Sequence, residues 1–382
     1  MSRKIRLAIP YTYNENWIGG TYYIQNLLWS LTLLPAREQP EVTILTSKDQ
    51  ESRELQELFE NRFVIRPEDC TLSFSQRLIN VLLRPFLGKD LIDKRLNPDK
   101  IDLIFPTQKK QAFERISRSK MIYWIPDLQH KRYPHYFTDQ EIKTRNELIH
   151  RMIVSRNQIV FSSESSHAEF SHFFPEAGNK CFVLPFTVFH TTGKLPQVRE
   201  KYGIDSDYFI VANQFWQHKN HLRLFEAIAQ IGATDRKVKY LLTGKMYDYR
   251  NNSYIDEVKA TVHRLGIDDR VQFLGFIPRE DQLSLMASSL AVIQPSLYEG
   301  WSTVIEDAKC LNKWVIASSI EVHQEQLKQN CSFFNPNDVA SMSKAIASMI
   351  EAPAVPIDFD YRINQLEFAR NFAQLLQTLK VN

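Results

Sequence analysis

The stretch that most constrains this 382-residue chain is Pro295 to Ser319, PSLYEGWSTVIEDAKCLNKWVIASS. A strand-like run, Ala291–Gln294, leads into it, and a second, Trp314–Ala317, lies near its end. Between them a Gly-containing turn opens an amphipathic helix flanked by two carboxylates, Glu299 and Asp307. At about 100° per residue, Val304, Ala308 and Leu311 form one apolar stripe. Asp307 falls on its edge and Glu306 on the opposite face. Asp307 is therefore expected to point inward, and Glu306 to sit in solvent near Lys309 and Cys310. Ser302 is a candidate N-cap, which would leave the first N–H groups of the helix facing an anion. For an isolated acidic pair, first-turn residues favoured by the helix dipole would be explanation enough.

The length suggests about two domains at roughly 150 residues each. With 43 % hydrophobic residues there is chain enough for two cores. The start, MSRKIRLAIPYT, reads as a first strand; a signal peptide needs a longer apolar region and a small-residue cleavage site. No run approaches the ~20 apolar residues of a membrane span. The four cysteines, Cys70, Cys181, Cys310 and Cys331, have neither metal-ligand nor disulfide spacing, so a reduced, cytoplasmic protein is expected. The net charge of +3 is uneven: residues 1–195 carry +5 and the remainder −2. The basic half suits an anionic acceptor or a membrane surface, and ordinary solubility explains it equally well. No nucleic-acid-binding motif or dense basic cluster is present, so no nucleic acid is expected as partner.

Strand-like runs at Ile5–Ile9, Val42–Thr46, Phe63–Ile65, Leu103–Phe105, Met121–Ile125 and Ile159–Ser162 alternate with amphipathic segments. A second set follows at Tyr208–Ala212, Val238–Thr243, Val271–Phe273, Ala291–Gln294 and Trp314–Ala317. Such alternation predicts parallel sheets covered by helices on both faces. Between the two sets, Leu184–Gln197 breaks into Pro, Gly and Thr and reads as a linker. The expected fold class is thus α/β, with two doubly wound Rossmann-like domains, 1–190 and 191–360, facing a cleft. A terminal helix, 361–382, carries Phe368, Phe372, Leu375, Leu376 and Leu379 on one stripe.

Several segments suggest binding chemistry. Gly19-Gly20 opens the first helix, where two glycines let backbone approach a ligand and the helix N-terminus favours a phosphate. Tyr11, Tyr13 and Trp17 beside it are candidate stacking surfaces for a bound ring such as a sugar, or loop aromatics that pack locally. The run from Trp124 to Thr138 lies at a strand's C-terminal end, where open α/β sheets bind ligands. The Ser163–Ser166 cluster fits a helix cap. Lys219 sits at a helix start, where the dipole disfavours a solvent cation and a bound diphosphate would favour one. Phe74–Lys89 is apolar with interspersed basic residues; a buried helix ending near Pro85 is the preferred reading and a membrane-touching segment the other. Asp205–Asp207 mimics a metal motif, but lies in a turn before a strand.

From Glu299 to Lys313 the sequence resembles, without a gap, the donor-sugar half of GT-B glycosyltransferases of family 4. Those carry PS-x-x-EG, a helix with a second acid eight positions on, and a V-I-A-S-like strand. The resemblance extends over nearly the whole chain and is strongest from Asn213 to Ser319. It implies a retaining, metal-independent transferase that moves a sugar from a nucleotide-diphosphate donor to a hydroxyl on a glycan, polysaccharide or lipid-linked sugar, with no cofactor. It implies catalytic roles for His130, Lys219 and Glu299, and donor contacts at Gly19, Gly20, Asp127, Gln214, Gly275, Phe276, Gly300, Trp301, Ser302 and Asp307. Glu299 would hold the donor sugar and Asp307 the ribose hydroxyls. A terminal helix crossing back to the first domain and a peripheral place at the inner membrane face are compatible with it.

Two positions depart from the pattern: Gln214 stands where the family commonly has Arg, and Asp307 where it has Glu. These keep open a non-catalytic nucleotide-sugar-binding scaffold. An epimerase or phosphorylase of the same fold is the alternative within enzymes. A dinucleotide-dependent oxidoreductase is disfavoured because no G-x-G-x-x-G follows the first strand.

Overall fold

The computed structural model describes residues 3–14, 17–46, 49–60, 62–67, 74–87, 101–107, 121–190, 195–232 and 237–380. Cys70, Lys89 and part of the linker, 191–194, lie outside these. Two parallel sheets organise the chain. The first contains β1 (Arg6–Pro10), β2 (Glu41–Thr46), β3 (Val64–Pro67), β4 (Leu103–Thr107), β5 (Met121–Ile125), β6 (Ile159–Phe161) and β7 (Cys181–Val183). Its order is β3-β2-β1-β4-β5-β6-β7. The second contains β8 (Asp207–Ala212), β9 (Val238–Thr243), β10 (Val271–Gly275), β11 (Val292–Gln294), β12 (Val315–Ser318) and β13 (Cys331–Phe334), in the order β10-β9-β8-β11-β12-β13.

Helices cover both faces. The first half has α1 (Ile18–Thr32), α2 (Asp49–Leu58), α3 (Phe74–Leu87), α4 (Gln129–Arg132), α5 (Asp139–Ser155) and α6 (Glu164–Phe173). The second has α7 (His221–Ile231), α8 (Tyr254–Arg264), α9 (Arg279–Ser288), α10 (Thr303–Cys310), α11 (Glu321–Gln326) and α12 (Val339–Glu351), and α13 (Arg362–Lys380) closes the chain. Ser163 caps α6 by accepting the Ser166 N–H at 3.0 Å, and Thr138 and Glu141 form a capping box on α5.

The strand order reverses between β1 and β4, and again between β8 and β11. Loops leaving the C-terminal edge at such a switch point part in opposite directions and leave a crevice. The loops after β1, β5, β8 and β11 therefore carry the residues of interest. α13 packs on α1, and its Phe368, Phe372, Leu375 and Leu376 enter the same core as Leu27, Leu28 and Phe105 of the first sheet's layer. The Phe372 and Phe105 rings are 5.2 Å apart. Burying each such side chain contributes about 1.5–3 kcal/mol, enough to hold the chain end against the first domain.

Two expectations change. The strand pattern missed β7 and β13, the outermost strands on one edge of each sheet. α3 runs through Pro85 to Leu87 instead of ending there as a buried helix. It leaves Val81 and Leu82 68 % and 61 % exposed, with Leu78 and Ile79 also exposed. Among the described residues, no helix is long and apolar enough to cross a membrane.

Candidate active site

The loops at the two switch points face each other across a cleft of about 190 Å³. Gly19, Gly20, Asp127, Gln214, Lys219, Glu299, Gly300, Trp301 and Ser302 all line it. Lys219 ends a short 3-10 turn, Gln217–Lys219, and precedes Asn220, whose left-handed backbone sets the entry to α7. Asn220 Nδ2 donates to the carbonyls of Pro295 and Pro336 at 3.1 and 3.0 Å, which locks the Lys219 loop to the Glu299 loop. Lys219 Nζ then donates to Glu299 Oε1 at 2.6 Å. Gln294 Nε2 and Ser296 Oγ reach the same oxygen, each at 2.8 Å. Three donors thus hold a nearly buried carboxylate in one orientation.

Above this pair two helix N-termini meet. Ser302 caps α10 by accepting the Ile305 N–H, and Gln326 fixes the cap by accepting the Ser302 N–H at 3.1 Å. α1 begins opposite: a β-carbon on Gly19 would stand 3.9 Å from Thr303 Oγ1. Gly20 is required by Trp17, whose ring would lie 2.5 Å from a β-carbon there. The loops themselves touch at Gly300, where a β-carbon would fall 1.9 Å from the Pro126 carbonyl oxygen. Positive helix ends and an ammonium converge on one cavity, which is the electrostatic layout of an anion site.

The domains are also fastened beside the cleft. Tyr298 of the second domain donates to Glu169 and accepts the Leu128 N–H, both in the first. The Arg250 guanidinium lies 4.9 Å from the Trp216 ring and 5.3 Å from that of Phe137, which belongs to the first domain. Glu325 Oε1 and Oε2 accept the N–H groups of Glu164 and Ser165 at the start of α6. Tyr298, Arg250 and Glu325 were missed in the sequence. Tyr298 had a signal, as an aromatic between the Pro and Glu of PS-x-x-EG. Neither of the others stands in a motif.

Four expected site residues do not line the cleft. His130 is 2 % exposed, with Nε2–H donating to Asn146 Oδ1 at 3.2 Å and Nδ1 without a partner. Burial, and then the charge of Arg145, push its pKa down to about 4. Gly275 takes a left-handed backbone (φ +68°) at the end of β10 and accepts the Gly244 N–H at 2.9 Å. Phe276 beside it is exposed. Asp307 is fully buried; Arg279 and His190 both bond its Oδ1, the latter at 3.0 Å, and Oδ2 has no partner. Burial, the largest single influence, would raise the Asp307 pKa, but the charges and hydrogen bonds of Arg279 and His190 together outweigh it and hold the carboxyl below the usual range.

Glu306 corrects the helix-face reading. It is buried rather than solvated, with Oε1 accepting from Lys309 and Gln326, each at 2.8 Å, and Oε2 from the Tyr361 hydroxyl. The apolar stripe sees α10 alone, whereas the segment before α13 covers its other face. Among the described residues, no group of three or more His, Cys, Asp or Glu side chains could hold a metal ion.

Residues 196–366 match the family described as Glycosyl transferases group 1. The O-antigen chain mannosyltransferase RfbU of Salmonella typhimurium is 24 % identical over 162 residues, 42 % of this chain and 44 % of that protein. The chain thus matches less than half the length of this curated relative. Among solved structures, sucrose-phosphate synthase of Thermosynechococcus elongatus superposes with a TM-score of 0.64 at 16 % identity, covering 98 % of this chain and 95 % of that one. Anabaena Alr3699/HepE, in complex with UDP and glucose, gives 0.63 at 16 % identity over the same shares. The chain has the two-domain α/β fold of these GT-B neighbours, and its residues 196–366 match the glycosyl transferases group 1 family.

Proposed function

We propose that this protein is a retaining glycosyltransferase of the family 4 type, moving a sugar from a nucleotide-diphosphate donor to a hydroxyl acceptor without a metal. The observation that carries the reading is the convergence of Lys219 and the N-termini of α1 and α10 on one cleft between the domains. In such a transfer the bond from the anomeric carbon to the diphosphate breaks, and negative charge grows on the leaving oxygen. Preorganised cations and helix dipoles stabilise that charge most when water is excluded. The acceptor oxygen bonds the same carbon, and its proton passes to the departing phosphate.

Glu299, with Oε1 held by three donors, would offer Oε2 to a donor-sugar hydroxyl. Asp307 would take the ribose, and Gly275 and Phe276 would border the base. Gln214 and Asp127 border the cleft beside the diphosphate and the sugar. His130, through its unpartnered Nδ1, would meet the sugar once the domains part. Parting is needed in any case, because sites for drug-sized ligands usually measure about 300–1,000 Å³, more than the closed cleft offers. The acceptor is a glycan or lipid-linked sugar. The exposed Val81 and Leu82 of α3 would provide peripheral membrane contact at the cytoplasmic face.

The test is thermal unfolding with UDP-, GDP-, dTDP- and ADP-sugars and the free nucleotides. GDP-mannose comes first because RfbU is named a mannosyltransferase. A ligand that binds the native state alone raises the midpoint by mass action. A shift with one base assigns the donor, and the anomeric configuration of the transferred sugar, read by NMR, tests retention. No shift with any of them would reject the reading in favour of a non-catalytic scaffold.

A further inference from the structure

Asp307 is bound in a way that a lone ribose-binding carboxylate does not require. Its Oδ1 is taken by Arg279 Nη2 and by His190 Nε2, while Oδ2 is buried and unpartnered. Leaving a buried acceptor without a donor is unfavourable, so Oδ2 awaits a hydroxyl or a water. Arg279 is the first residue of α9, where a cation opposes the helix dipole, and the buried Asp307 carboxylate offsets that cost. Its guanidinium lies over the Tyr22 ring of the first domain, 4.8 Å from the centroid, and Nη1 donates to Gln282 at 3.2 Å. Those two hydrogen bonds engage one N–H on each terminal nitrogen, and an arginine carries five. A carboxylate with both oxygens open can accept both hydroxyls of a cis-diol. Asp307 has Oδ1 already taken and only Oδ2 open, so a second hydroxyl needs another partner, which the remaining Arg279 N–H groups can supply.

We propose that Arg279 and Asp307 together form a donor–acceptor pair that reads the cis-diol of a ribonucleotide, making Arg279 a specificity-determining residue against 2′-deoxynucleotides. The Asp307 side chain is one methylene shorter than the Glu it replaces, and Arg279 supplies the second contact at that corner. This inference rests on the donor reading of the cleft. Arg279 is absent from the residues that the family resemblance assigns, and it is brought to Asp307 by the packing of α9 against α10.

The experiment is calorimetric titration of the full chain with UDP, GDP and their 2′-deoxy forms, for the native protein, Arg279→Ala and Arg279→Gln. The native protein is expected to prefer the ribonucleotide by about ten-fold, as for one lost hydrogen bond in a preorganised site. Arg279→Ala should weaken the ribonucleotide and leave the deoxynucleotide nearly unchanged, so that the preference falls to about two-fold. Arg279→Gln, which keeps an N–H donor, should fall between; it carries the same comparison should the alanine variant fail to fold. Equal loss of both forms, or a native protein that binds diphosphates without preferring ribose, would overturn the role of Arg279 and leave the donor reading standing. Failure of the native protein to bind any nucleoside diphosphate would overturn both.

Discussion

The hydroxyl of Tyr298, in the loop that carries Glu299, donates to Glu169 of the opposite domain at 2.7 Å while accepting the Leu128 N–H at 2.9 Å. Leu128 follows Asp127 at the cleft, so one hydroxyl ties the two loops that would hold the sugar. Arg132 completes the link by donating to Glu169 at 2.8 Å.

Tyr298→Phe should therefore loosen closure and leave the nucleotide half intact. A hydrogen bond to a charged partner contributes about 1.5–3 kcal/mol, so turnover is expected to fall about ten-fold or more with little change in nucleotide affinity. Small-angle scattering should show a larger radius in the presence of nucleotide. Unchanged turnover and radius would mean that closure depends on the Arg250 and Glu325 contacts instead.

Lys219→Ala removes the ammonium from the cleft but leaves Gln294 and Ser296 to hold Glu299. Loss of one preorganised group that stabilises leaving-group charge is expected to cost about 10²–10³ in turnover, with the melting temperature nearly unchanged. Near-native rates would remove Lys219 from the phosphate role.

Neighbouring acids on α10 should separate cleanly. Asp307→Asn is expected to weaken nucleotide binding. Glu306→Gln should instead lower stability by about 1–3 kcal/mol, because the neutral amide poorly replaces a buried carboxylate bonded by Lys309, Gln326 and Tyr361. Urea unfolding and calorimetry on both variants measure the two effects, and the reverse ranking would contradict the arrangement described.

Acid should destabilise the protein well before its carboxylates titrate. Burial pushes the pKa of His323 and of His130 down to about 4 and that of His221 to about 3, from an ordinary 6.5. Below pH 6.5 the unfolded chain takes up protons that the native state refuses. Stability is thus full above 6.5 and is lost as pH falls toward the folded values, at up to about 1.4 kcal/mol per pH unit for each histidine. The Asp307 contribution, whose folded pKa is depressed, is lost lower still, as pH falls below its ordinary 3.8. Unfolding free energies between pH 7.5 and 5 should show this slope, and His323→Gln should reduce it by about one histidine's share. A flat profile would mean that these imidazoles take up protons in the folded protein.

Val81→Glu with Leu82→Glu should abolish sedimentation with anionic phospholipid vesicles if α3 contacts membrane, while leaving nucleotide binding as it was. Equal sedimentation of both proteins would place any membrane contact elsewhere.

The βα pattern was legible wherever strands are buried on both faces. β1, β8 and β9 are mostly apolar because neighbours and helices bury all but one residue of each. β7 (Cys181–Val183) and β13 (Cys331–Phe334) were not read: each is three or four residues long and largely half-buried, and β7 runs directly into the linker pattern that begins at Leu184. The stretch around Glu299 stood out because a Gly turn, a cap and a helix start occupy consecutive positions.

What the sequence determined by itself was therefore local: two sets of alternating elements, the glycines at the cleft, and the Lys219 and Glu299 loops at strand ends. What tertiary structure decided was which groups meet. Tyr361 buries Glu306, and Arg279 and His190 converge on Asp307 from positions 28 and 117 residues away along the chain. Helical periodicity reports the face that an element turns to its own sheet. It carries no information about a linker or a distant helix that later packs on the other face, and on α10 that second covering sets the surroundings of both acids.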